Sequence, residues 1–162
     1  MKRHGWRLAA LAAAAGLYFV CRKAYYLGFF NDDAFYLIGA KSLLQGHYVE
    51  LSHPAQPPYD NYPPGYPLLL ALWSLPFGLG PLAAQGLSIL LTAASVWLLW
   101  ACLRGEADDS EADAAAAAFA LGPMTVSLSG VVLSEVPLIA ITLGTLLLSK
   151  RWWSKLSARQ AA

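Results

Sequence analysis

Two adjacent carboxylates, Asp32 and Asp33, follow Asn31. Held beside an acceptor hydroxyl or amide, a carboxylate serves as a general base. Asn31-Asp32-Asp33 also reads as a helix start. The unfilled N–H groups there stabilise negative charge, with Asn31 or Asp32 as the cap. The plainer alternative for the pair is a cap beside one solvated neighbour. A third acid, Glu135, lies one turn inside the apolar run 131–148. An acid at membrane depth is costly and marks function by default; an interfacial acid reaching water is the alternative. Pro137 opens nearby backbone, so Ser134 and Glu135 can face a polar cavity.

Other groups have weaker claims. By three-and-four spacing Lys41 shares a helical face with Asp33, Tyr36, Ala40 and Leu44. That makes it a phosphate ligand or an exposed helix charge. Arg22 and Lys23 read as interface anchors more readily than as phosphate ligands. His47 and His53 have neither the tight spacing nor the third partner of a metal site, so no metal is expected. The Tyr-Pro segment 59–67, with Tyr62 and Tyr66, either lines a substrate cleft or shapes a rigid loop. Cys21 and Cys102 read as small apolar helix residues near opposite faces of the membrane.

These groups need elements to position them, and the composition suggests a membrane. Charged residues make up 13% and hydrophobic residues 57%. A soluble domain carries about a quarter charged residues. A net charge of +1 gives no broad electrostatic case for nucleic acid. The basic start (Lys2, Arg3, Arg7) and apolar run resemble a signal peptide. No small-x-small triplet follows at the right distance, so an uncleaved first span is expected.

The expected fold is all-α and polytopic, with spans at about 6–27, 82–103, 113–129 and 131–149. A large extracytoplasmic loop, 28–81, carries interfacial helices at about 33–46 and 66–79. Tyr25 and Tyr26 suit an aromatic belt, and Lys150, Arg151, Trp152, Trp153 and Lys155 a basic, aromatic anchor. Residues 157–162 are expected to fray. A fifth span at 66–79 would put the basic tail outside, against the positive-inside rule. Four spans leave both termini cytoplasmic in a bacterial inner membrane.

Residues 31–37 (NDDAFYL), 40–46 (AKSLLQG), 62–72 (YPPGYPLLLAL) and 133–138 (LSEVPL) together resemble the GT-C superfamily of membrane glycosyltransferases. The closer likeness is to the N-terminal part of the bacterial protein mannosyltransferase and aminoarabinose transferase relatives. The resemblance implies transfer of a sugar from a polyprenyl-phosphate donor to an extracytoplasmic acceptor. It maps the acidic pair of the first loop onto Asp32 and Asp33, and a later acidic segment onto Glu135. Tyr36, Lys41, Tyr62 and Tyr66 become candidate substrate contacts. No cofactor beyond the lipid-linked donor is implied. Tyr62 stands where some relatives have a lysine, and Gln85 stands near the place of an arginine. Family members run to several hundred residues, so a partner chain supplying further helices is expected. A membrane subunit that binds lipid or a partner without catalysis is the alternative. A transporter is less favoured, because no repeated half or intramembrane charge pair is visible.

Overall fold

The computed structural model describes residues 5–22, 28–104 and 106–160, with side chains as far as Trp153. Lys23, Tyr25, Tyr26, the early Lys2 and Arg3, and the Lys155 side chain lie outside the described residues. Seven α-helices are described: α1 (Gly5–Cys21), α2 (Asp32–Leu44), α3 (Gly65–Phe77), α4 (Pro81–Leu103), α5 (Asp109–Leu121), α6 (Pro123–Ser129) and α7 (Glu135–Gln160).

The all-helical class holds, but the four-span topology does not. Among the described residues one helix, α4, is both long and apolar enough to cross a bilayer. With 17 residues, α1 extends only ~26 Å, short of a ~30 Å hydrocarbon core. The expected third span is two helices of 13 and 7 residues, broken where Gly122 and Pro123 interrupt the ladder. The expected fourth span begins late, because residues 131–134 are not helical. Its charge-free stretch between Glu135 and Lys150 is shorter than a crossing requires. The Gly122-Pro123 interruption is readable in the sequence, but a count of apolar residues carries a span across it and does not register the non-helical 131–134. At the far end α7 continues to Gln160, so residues 157–160 are helical rather than frayed.

Local sequence sets most helix ends. Gly46 takes a φ of +83°, and the N–H groups of Gly46 and His47 reach back to the carbonyls of Leu43 and Ser42. That is a Schellman stop. Proline in the first turn opens α4 and α6. A capping box between Asp108 and Glu111 opens α5, whose first turn carries Asp109 and Glu111.

Central α4 packs against α1, α3, α5, α6 and α7, while α2 packs on α3. Arg7 near the start of α1 lies over the Trp100 ring near the end of α4, so these helices are antiparallel. Helix α7 runs parallel to α4. Ala84 shares a buried cluster with Val132, just before α7, and Lys150 donates to the Cys102 carbonyl at the other end. Ser88, Thr92 and Ser95 are buried on α4, and their hydroxyls donate to carbonyls one turn earlier. Their polarity is met inside the helix, and their small size admits close neighbours. Both cysteines are free: Cys21 is exposed at the end of α1, and Cys102 is buried in α4.

Candidate functional site

The turn before α2 carries the acidic pair. Gly28 and Asn31 both have positive φ, +94° and +64°. The Asn31 side chain makes no capping hydrogen bond, contrary to its expected role. The carboxylate of Asp33 instead ties the turn together. Its Oδ1 accepts from the Gly28 N–H at 3.0 Å and from the Ala34 N–H at 2.8 Å. Asp33 is fully buried, and its Oδ2 is buried without a hydrogen-bond partner. Thus Asp33 holds backbone in place and presents no face to a substrate.

Asp32 is arranged differently. It is half-buried, and its Oδ1 accepts from the Tyr62 hydroxyl at 2.7 Å. That bond, reinforced by burial and the negative charge of Asp32, pushes the Tyr62 phenol up to about 12. Tyr62 therefore stays a protonated donor, and Oδ2 of Asp32 is left to take another donor.

Aromatic rings form the wall behind Asp32. Phe35 stacks on Tyr62 with centroids 5.1 Å apart, and Tyr36 meets Tyr62 and Tyr66 edge-on at 5.3 and 5.0 Å. Two further tyrosines fix this wall: Tyr59 of the 59–67 segment, and Tyr48, which sequence reasoning did not single out. The Tyr48 hydroxyl donates to the Tyr62 carbonyl at 2.7 Å, and the Tyr59 hydroxyl to the Phe35 carbonyl at 2.8 Å. Desolvation is the main cause raising both phenols. Only the density of tyrosines in 48–66 hints at this. Close packing of α2 on α3 also requires Gly39, whose missing Cβ would lie 3.2 Å from Pro67.

The segment before α7 joins the same region. Tyr36 donates its hydroxyl to Ser134 Oγ at 2.9 Å, across 98 residues of sequence. Next to it Glu135 is exposed in the first turn of α7, where an acid suits the helix dipole. Asp32, Tyr36, Tyr62, Tyr66 and Ser134 are thus gathered at one place, with Glu135 beside Ser134.

The remaining candidates stand apart. Asp33, Tyr36 and Ala40 are buried while Lys41 and Leu44 are exposed, so the expected common face divides. Lys41 lies in the last turn of α2, roughly 12 Å along the axis from Asp33. His47 Nδ1 is 3.1 Å from Ser42 Oγ, and His53 Nδ1 accepts from the Ala55 N–H. Among the described residues no group of three His, Cys, Asp or Glu side chains could hold a metal ion. Arg22 donates to the Phe19 carbonyl and lies over the Phe19 ring, at the end of α1. Gln85 is buried in α4.

No family model, curated protein or solved structure matches the chain.

Proposed function

We propose that this chain carries the acidic site of a GT-C-type glycosyltransferase acting on a polyprenyl-phosphate sugar, with Asp32 as general base. One observation supports the reading above others. Asp32 with Tyr36, Tyr62 with Tyr66, and Ser134 come from three segments far apart in sequence, yet they are linked, Tyr62 to the half-buried Asp32 carboxylate and Tyr36 to Tyr66 and Ser134. In the proposed step Asp32 Oδ2 takes the proton of an acceptor hydroxyl. The hydroxyl oxygen bonds to the anomeric carbon as the bond to phosphate breaks. The lipid phosphate leaves with that electron pair, and the carbon inverts. Tyr62 holds Asp32 Oδ1, so the carboxylate is already oriented. Tyr62, the partly exposed ring, contacts the sugar with the buried Tyr36 and Tyr66 packed behind it, and Glu135 supplies a second negative charge near the rim.

Access to a lipid-borne donor is supported by the apolar side chains left on the surface. On α3 these are Leu68, Leu72 and Leu75, and next to the acid site Phe29 is 74% exposed. Apolar patches of this extent mark interaction surfaces. With α4 they support association with membrane lipid. A second reading is a lipid- or partner-binding subunit without catalysis. The exposed Leu138, Ile141 and Leu148 along α7 favour it.

The test is transfer from a polyprenyl-phosphate sugar by membranes containing the chain. Asp32→Asn should lower turnover by about 10²–10⁴-fold, with helix content unchanged by circular dichroism. Undiminished turnover in that variant removes the base role. Absence of turnover in the unaltered chain, with donor lipid still bound, supports the subunit reading.

A further inference from the structure

At the opposite end of the bundle from Asp32, α1, α4 and α5 line a half-open apolar cleft of about 380 Å³. Its walls are small because the facing residues are small. Ala10 and Ala14 of α1 oppose Ala117 of α5, over a floor that includes Val96, Trp97 and Trp100 of α4. Two fastenings hold α1 and α5 around it. At one end Arg7 donates to both carboxylate oxygens of Asp113 at 3.0 Å and pairs with Asp109 at 3.4 Å. At the other the Tyr18 hydroxyl donates to the Ala120 carbonyl at 2.9 Å. Arg7 and Tyr18 are roughly 16 Å apart along α1, so the two fastenings are set about that far apart along the slot.

We infer that this slot takes one hydrocarbon chain of a bilayer phospholipid. Charge decides against a polar occupant. Arg7, whose side chain is only 9% exposed, is already engaged by Asp113 and Asp109 and sits over Trp100. An incoming anion would have to break that pairing, and an incoming cation would meet it on an apolar floor. A half-open apolar cleft accepts an apolar ligand because binding removes its lining from water. The route in is apolar as well. Leu17 and Leu121 line the slot and are also exposed. A chain can therefore pass from lipid into the slot without crossing water. This site rests on the proposed contact with membrane lipid and is independent of the transferase chemistry.

The experiment uses the full chain in phosphatidylcholine nanodiscs containing a phospholipid with a diazirine near the end of one acyl chain. After illumination, labelled residues are mapped by mass spectrometry. Label should concentrate on the slot faces of α1 and α5 and exceed that on the outward face of α3. Ala117→Phe fills the slot. A ring that displaces two methylenes should lower slot labelling about tenfold and leave α3 labelling unchanged. Ala10→Phe narrows the slot from α1 and should do the same, so one poorly folding variant does not decide the matter. Labelling spread evenly over all exposed apolar faces, or unchanged by both variants, overturns the slot but leaves lipid contact standing. Slot labelling only by a diazirine free fatty acid overturns the assignment to phospholipid. Absence of label everywhere overturns the lipid contact itself.

Discussion

Tyr62 holds Asp32 by a 2.7 Å hydrogen bond that spans 30 residues of sequence, from the Tyr-Pro loop to the first turn of α2. The partnership makes stability depend on pH at the alkaline end. The Tyr62 phenol is raised from its ordinary 10 to about 12 in the folded chain, first by this bond and then by burial. A group with a raised folded pKa contributes its full stabilisation below the unfolded value. That contribution fades as pH rises through the folded value. The unaltered chain should therefore lose stability between pH 10 and 12, and Tyr62→Phe should lose less over the same window. Tyr48 and Tyr59 shift in the same direction, so the readout is the difference between variant and parent in thermal midpoint across that range. A difference that stays constant from pH 9 to 12 removes the Tyr62–Asp32 bond as its source.

Asp33 leads to an asymmetric prediction. Its Oδ1 closes the turn onto Gly28 and Ala34, while its Oδ2 is buried without a partner. Removing the acceptor leaves two backbone N–H groups short of their bonds, which costs about 1–3 kcal/mol. Asp33→Ala should lower the thermal midpoint by several degrees. Asp33→Asn keeps the Oδ1 acceptor but sets amide N–H donors where Oδ2 has no partner, so its midpoint should fall by no more than in Ala. A drop in Ala no larger than in a surface Asp→Ala control would remove Asp33 as the tie that closes this turn.

Local chemistry made several helix ends legible. The start at Asp32, the glycine stop at 46 and the break at Gly122-Pro123 each follow from residues within a few positions. The span count failed because a run of apolar residues does not by itself say where the backbone ladder is cut. Residues 131–134 and the Gly122-Pro123 junction both lie inside apolar runs. At the site, residue type pointed to Asp32, Tyr36, Tyr62 and Tyr66. It could not divide the acidic pair into an anchored Asp33 and an accessible Asp32, because that depends on Gly28 N–H and the Tyr62 hydroxyl. The Arg7–Asp113 pair, 106 residues apart, leaves no local trace.

Gly39 tests the platform beneath the acid site. A Cβ there would come within 3.2 Å of Pro67 Cβ and Cγ and 3.3 Å of Tyr48 Cε2. Pro67 is buried and rigid, so α2 and α3 must separate to admit a side chain. Gly39→Val should cost about 1–3 kcal/mol and loosen the ring cluster. Near-ultraviolet circular dichroism of the tyrosines reports the loosening. An unchanged spectrum with an unchanged midpoint would show that the helices are not held this close.

A hydrogen bond from Tyr36 to Ser134 links α2 to the segment that introduces Glu135. Tyr36 is 7% exposed and also packs edge-on against Tyr62 and Tyr66. Tyr36→Phe keeps the ring contacts and removes only the hydroxyl, and Ser134→Ala removes the partner. Each single change should cost about 1 kcal/mol. If the two hydroxyls act on each other, the double variant should cost little more than either alone, a coupling of at least about 0.5 kcal/mol. Strict additivity would mean that each hydroxyl has a different partner. The same variants should speed amide exchange at Val136 and Leu138, since the first turn of α7 loses its tie to α2. Exchange elsewhere in α7, beyond Leu143 where Cys102 donates to the backbone carbonyl, should stay as in the parent. That regional contrast separates a local release of the Glu135 segment from general destabilisation of the bundle.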